Sequence, residues 1–246
     1  MAARNIKLII HYDGARYHGW ASQPGKPTIQ GTLEDALERL TCEAVDVNGS
    51  SRTDAGVSAL GQVANIRLDS PVPVENFTKA LNKLLPPDIA IEESVEVDDD
   101  FDAISSTRSK LYSYVICTAE VRPVLDINHC WHRPGSLNIK AMAQAAETLV
   151  GKHDFKSFAS AADKRSSSVR TIMRCDVRQE GDEIYIETEA DGFLYNMVRN
   201  IVGTLVEVGR GRWRPEDIKR ILDARDRKEA GPIAPASGLC LMWIKY

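Results

Sequence analysis

The chain has 246 residues, 43% of them apolar, enough for one large domain or two small ones with a proper core. No apolar run is long enough to span a bilayer, and the polar lead Met1 to Asn5 has no signal-peptide pattern, so a cytoplasmic protein is expected. The five cysteines are odd in number and scattered, which excludes a disulfide frame and a zinc knuckle and fits a reducing compartment.

Charge is unevenly placed. Residues 1–105 hold 9 Lys/Arg and 17 Asp/Glu, and residues 106–246 hold 22 and 18. Much of the N-terminal acid lies between Glu92 and Asp102. An acid run of this kind is a solvated face, so the net charge of −4 still allows a basic surface for phosphate.

In chain order, Asn5 to Asp13 alternates branched and polar residues and predicts a strand. A Gly/Pro-punctuated loop runs to Pro27. Thr28 can cap a helix with the stripe Leu33, Ala36, Leu37 and Leu40. Val45 to Ser50 reads as a short strand, followed by a turn around Asp54. Gln62 to Leu68 is a third strand, Val74 to Leu85 a helix stopped by Pro86-Pro87, and Ile89 to Val97 a fourth strand. The order is β-α-β-β-α-β, that of ferredoxin-like and RNA-recognition domains.

The second half loosely repeats it. Leu111 to Thr118 reads as a strand with Tyr112 and Tyr114 on one face. Asn138 caps a helix through Leu149. Thr171 to Gln179 and Glu183 to Glu189 make a hairpin around Gly181. Tyr195 to Val208 is an apolar helix. Pro215 to Ala224 is another, with Pro215 at its first position and Trp213 and Ile218 spaced as a hydrophobic staple. Leu239 to Tyr246 closes as a strand. The expected class is α+β: two ferredoxin-like, RRM-like βαββαβ halves, residues 1–105 and 106–246. They would share a long antiparallel sheet with the helices on one face and the other face free for a ligand.

Several chemical motifs fail. Gly19 to Lys26 is one residue too long for a phosphate loop, and Pro27 stands where Ser or Thr should bind magnesium. There is no zinc-deaminase, zinc-protease or nucleophile-elbow signature. His129-Cys130-Trp131-His132 lacks a second ligand cluster and reads as a core-edge strand.

Three features remain. Ser51-Arg52-Thr53-Asp54-Ala55-Gly56-Val57 places one carboxylate, Asp54, at a turn apex with Arg52 close by; a turn-forming Asp bonded to its own backbone is the plainer reading. Tyr112 and Tyr114 suit a stacking platform, or half of a buried strand face. In Asp191 to Asn200, Arg199 interrupts an apolar helix, and a cation there needs an anionic partner. Beyond it, Gly209-Arg210-Gly211-Arg212-Trp213-Arg214 mixes cations with an aromatic ring, as single-strand binders do, or is a solvated inter-helix loop.

The turn resembles the G-R-T-D-A-G-V motif of the tRNA pseudouridine synthase A family. Tyr12-Asp13-Gly14, Gly19-Trp20, Thr28-Ile29-Gln30, Tyr112-x-Tyr114, His153-Asp154-Phe155, the Phe193 to Gly203 block and Gly238-Leu239 agree with it in order. The resemblance implies isomerisation of uridine to pseudouridine in the tRNA anticodon stem-loop, at tRNA positions 38 to 40. It implies a homodimer that needs no metal or organic cofactor. Asp54 would be the nucleophile, Tyr112 would stack on the base and help remove a proton, and Arg199 would pair with Asp54. Leu239 would pack near the base, and Arg52 would help hold the flipped-out nucleotide. Four positions depart from the family pattern: Ser51 for Gly, Ser58 for His, Ala21 for Gln and Ile104 for Arg. The lost His and Arg are polar contacts that would bear on how tightly, and at which uridines, tRNA is held.

The chemistry asks for this set. A base inside a stacked stem must be swung out before it can be attacked, and an enclosed carboxylate needs a cation beside it to stay ionised. Two other readings compete. A non-catalytic RNA-binding module explains the element order and the Tyr pair, but not Asp54 together with Arg199. A glycosidic hydrolase usually needs two carboxylates across the bond, and no partner acid stands out.

Overall fold

The structure is a computed structural model that describes residues 3–246. The chain falls into two compact units. One runs to Arg108 and takes back Leu241–Tyr246; the other is Ser109–Cys240.

In the first unit, strand β1 (Arg4–Tyr12) leads to helix α1 (Ile29–Thr41), a two-residue strand β2 (Asn48–Gly49) and strand β3 (Ser58–Leu68). Helix α2 (Val74–Leu84) and strand β4 (Ile89–Val97) complete it. β1 is central, antiparallel to both β3 and β4. Its alternation works as read: Ile6, Leu8, Ile10 and Tyr12 are all buried. Thr28 caps α1, its hydroxyl accepting from the Gly31 N–H at 3.3 Å, and Leu33, Ala36 and Leu37 face the core. α2 buries Phe77 and Leu81, one turn apart, and gives way before Pro86.

The second unit opens with β5 (Ser109–Cys117), a two-residue β6 (Trp131–His132), helix α3 (Ile139–Glu147) and β7 (Gly151–Asp154). The hairpin β8 (Val169–Glu180) and β9 (Glu183–Ala190) turns at Gly181, whose φ is +59°. Helices α4 (Met197–Gly209) and α5 (Asp217–Ala224) follow, then β10 (Leu239–Lys245). The sheet of this unit runs β5-β9-β8-β7, with β6 parallel to β5. Asn138 caps α3 by accepting from Ala141 N–H at 3.0 Å. Every residue of α4 is buried except Arg199, the pattern of a helix packed on all sides.

The α+β class and the β-α-β-β-α-β order hold in the first unit, and β5, α3, β8, β9 and α4 follow the same order in the second. Some boundaries differ. β3 begins at Ser58 rather than Gln62, and the expected strand from Val45 shrinks to Asn48–Gly49. Gly49 is there because a Cβ would lie 2.3 Å from the buried Trp20 ring. α5 begins at Asp217, so Pro215 lies before the helix and Ile218 is its second residue, which removes the staple spacing. Asp217 instead accepts the Arg214 N–H at 2.8 Å. Among the described residues no helix is long and apolar enough to cross a membrane.

Candidate active site

The Asp54 turn is gripped from both flanks, mostly through main-chain groups. Val57 N–H donates to the Asp54 carbonyl at 3.1 Å and closes the bend, with Gly56 at φ +79°. On one side, Trp20 N–H donates to the Thr53 carbonyl at 3.0 Å and Gly56 N–H to the Tyr17 carbonyl at 3.3 Å. This approach leaves no room for side chains. A Cβ at Gly19 would lie 2.7 Å from the Thr53 oxygen, and one at Gly14 only 2.0 Å from the Val57 oxygen.

On the other side stands Gln62, fully buried on β3. Its Nε2 donates to the Ser51 carbonyl at 2.6 Å and its Oε1 accepts the Ser51 N–H at 3.1 Å. One amide side chain thus satisfies both main-chain groups of Ser51, which unpaired burial would make costly. The Thr53 hydroxyl shares a 2.7 Å hydrogen bond with the Tyr12 hydroxyl. Asp54 is left half-buried on a rigid frame, with Arg52 and Ala55 exposed on either side.

Ser58, where the family pattern has His, is buried, and its Oγ accepts the Gly14 N–H at 3.1 Å. The position is structural in this chain: it ties the start of β3 to the Gly14 turn. Ile104, at a usual Arg, is 54% exposed in a turn whose amides are capped by the Asp102 carboxylate.

In the second unit, Tyr114, Arg199 and Leu239 share one support, the loop that enters β10. The Arg199 Nε donates to the Ala234 carbonyl at 2.8 Å, and Ala234 N–H donates to the Arg199 carbonyl at 3.1 Å. Arg199 Nη1 reaches Asn196 Oδ1 at 3.3 Å. Next along the loop, the Pro235 carbonyl accepts the Tyr114 hydroxyl at 2.8 Å, and Gly238 lies against the Tyr114 ring, where a Cβ would be 2.6 Å away. Leu239 N–H then turns back to the Ala236 carbonyl at 2.9 Å, which leaves the Leu239 side chain buried. Tyr112 is buried too, its ring meeting Phe193 edge-on at 5.2 Å between centroids.

The Tyr pair therefore divides. Tyr114 is a core residue: fully buried, bonded to Pro235, and edge-on to Trp131 at 6.4 Å. Burial pushes its phenol far above the usual range, with the Arg199 guanidinium acting in the opposite direction. Tyr112 lies on the same strand face, buried against Phe193. Two residues earlier on the same strand face, burial brings the Lys110 ammonium down to about 8, with the Arg165 charge adding to the effect.

The Gly209 to Arg214 segment is a folded inter-helix loop. Arg210 and Arg212 donate to the two oxygens of Glu207 at 2.9 and 2.8 Å, and that carboxylate is 6% exposed. Trp131–His132 is the core-edge strand expected of it, and Cys130 beside it is buried. Among the described residues no group of three or more His, Cys, Asp or Glu is placed to hold a metal ion.

Arg52 and Asp54 thus belong to the first unit, and Tyr112, Arg199 and Leu239 to the second. The supports of the turn went unread in the sequence. Gln62 carried a signal, being a polar residue on the inward side of an apolar strand with Ala64, Ile66 and Leu68.

The family model described as tRNA pseudouridine synthase matches residues 8–104 and 145–246. A Clostridium perfringens (strain 13 / Type A) protein named tRNA pseudouridine synthase A 2 is 48% identical over 243 residues, 99% of this chain and 100% of its own length. Proteins named tRNA pseudouridine synthase A from Caldicellulosiruptor saccharolyticus and Acetivibrio thermocellus are 45% and 46% identical, each over 99% of this chain and 100% of their own length.

Proposed function

The chain belongs to the tRNA pseudouridine synthase family, and on that premise we propose that it isomerises uridine to pseudouridine in tRNA, with Asp54 as nucleophile. The targets are positions 38, 39 and 40 of the anticodon stem-loop. The enzyme works as a cytoplasmic homodimer without metal or organic cofactor.

The observation that carries the reading is the grip on the turn. A carboxylate whose flanking main chain is fixed by Trp20, Tyr17 and Gln62 loses little freedom on attack, so its reach is pre-organised. The target nucleotide is swung out of its stack, at a cost of a few kcal/mol. The Asp54 carboxylate bonds to the nucleoside as the bond between ribose C1′ and uracil N1 breaks. The base turns and re-bonds to C1′ through C5 as the bond to Asp54 breaks, which returns the carboxylate to its free form. The C5 proton leaves with help from Tyr112, and N1 ends protonated, so atoms balance with no co-reactant. Arg199 holds Asp54 in its charged form, Leu239 packs near the base, and Arg52 helps retain the flipped nucleotide.

The deciding assay incubates the protein with uridine-labelled tRNA and separates the nucleosides. Pseudouridine at the three positions is the expected product. Free uracil would make the protein a glycosidic hydrolase, and unchanged uridine with bound tRNA would leave a binding module.

A further inference from the structure

Beyond the residues that serve the reaction, one buried carboxylate in the second unit joins an exposed ring to an exposed cation. Asp163 has a side chain only 5% exposed. Its Oδ2 accepts the Tyr195 N–H at 2.6 Å and the Arg165 guanidinium at 2.6 Å, and its Oδ1 accepts the Arg165 N–H at 2.9 Å. Ser160 N–H donates to the Tyr195 carbonyl at 2.9 Å, so the main chain of Tyr195 is held on both sides. Burial alone would raise the Asp163 carboxyl. The Tyr195 and Arg165 donors outweigh it and hold the group below the usual carboxylate range.

What this clamp presents is unusual for a structural ion pair. Tyr195 is 45% exposed, although Leu194 before it and Met197 after it are buried. The Arg165 side chain is 50% exposed, so part of its charge stays open to solvent beside the buried carboxylate. Arg165 bears on both Lys110 and Arg170, and Arg170 also feels Asp163 and Asp191, so cations gather around the pair. The patch also adjoins the reaction machinery. Phe193, two residues from Tyr195, touches the Tyr112 ring, and Arg199 is the third residue of α4, which begins two residues after Tyr195.

An aromatic face with an Arg beside it is what an unpaired nucleotide needs, a ring for its base and a cation for its phosphate. We propose that Tyr195 stacks on an unpaired nucleobase of the RNA next to the target uridine. Arg165 takes the adjoining phosphate, and Asp163 is the positioning residue that sets both. This rests on the pseudouridine synthase reading only in naming the RNA, so affinity is measured separately from turnover.

The probe is a 17-nucleotide-scale anticodon stem-loop RNA, tested for Kd by filter binding and for KM and kcat by product formation. Tyr195→Ala is expected to weaken Kd and raise KM by roughly 5- to 150-fold, with kcat within about twofold, as loss of one base stack should. Tyr195→Phe keeps the ring and should bind as the wild type does. Arg165→Gln should lower the slope of log Kd against log salt by about 1. Asp163→Asn should weaken binding as Tyr195→Ala does, with an unchanged thermal midpoint for Tyr195→Ala showing that the fold is not at issue. Wild-type Kd and KM in Tyr195→Ala would overturn the proposal. So would a fall in kcat alone, or a change in oligomeric state on gel filtration, which would make the ring a contact between copies. If the wild type binds the stem-loop but forms no pseudouridine, the functional reading fails while the Kd series still decides the role of Tyr195.

Discussion

Arg199 and Ala234 hydrogen-bond to each other twice, side chain to main chain at 2.8 Å and main chain to main chain at 3.1 Å. The guanidinium is therefore fixed by the loop that enters β10, and not by the helix alone. Loop and helix act as one piece, and anything that shifts the loop shifts the charge.

Asp54→Asn and Asp54→Ala are expected to form no pseudouridine while still binding tRNA. Both changes keep the main-chain bonds that hold the turn, the one to the Asp54 carbonyl included, and the Gln62 amide that flanks it. Single-turnover product analysis and filter binding check it; normal turnover by either variant would remove Asp54 from the mechanism.

Arg199→Ala should lower kcat far more than it raises KM, because the cation is needed for the charged nucleophile. Arg199→Lys should rescue little. An ammonium has no Nε that can reach the Ala234 carbonyl while a second nitrogen is presented elsewhere. Steady-state kinetics on the two variants decide it, and equal rate constants across all three proteins would remove Arg199 from the proposed mechanism.

Gly203→Ala tests the coupling between loop and helix. A Cβ there would lie 1.7 Å from the Pro232 carbonyl oxygen, so the segment leading to Ala234 must move. The expected cost is about 1–3 kcal/mol of stability, from overpacking, together with a loss of kcat. Denaturant melts and kinetics read the two separately. Loss of stability with full kcat would show that Arg199 keeps its place without this crossing.

The pH dependence of stability has a definite sign. The Cys130 and Cys175 thiols are pushed up by burial to about 11 each, so they stay protonated in the fold while unfolded thiols ionise above about 8.5. Stability should therefore fall as pH rises from about 8.5 toward 10. Lys110 acts the other way. Its ammonium titrates near about 8 in the fold, so above that pH the unfolded chain binds the extra proton and stability rises. Lys110→Met removes the opposing trend and should show the steeper fall in urea midpoint between these pH values. Parallel curves would place the Lys110 titration elsewhere.

The sequence made visible what is local. The Thr28 and Asn138 caps, the stripe of α1 and the alternation of β1 all depend on neighbours within a few residues, and all stand in the structure. β7 was invisible because a strand of four residues shows no period; its ladder partner on β8 defines it. The grip on Asp54 was hidden for the same reason. Trp20 and Tyr17 lie more than thirty residues upstream, and Gln62 reads as an ordinary strand residue until its partner is known. Tyr114 looked like the twin of Tyr112 because spacing gives the face of a strand but not which neighbour covers it.

The manner in which the turn is gripped bears on how such an enzyme can change over generations. Amides and carbonyls are common to nearly all residue types, so substitution at position 51 keeps both main-chain anchors to Gln62. Selection can then vary the chemical character of the residues around Asp54 while the inherited geometry of the turn passes on intact.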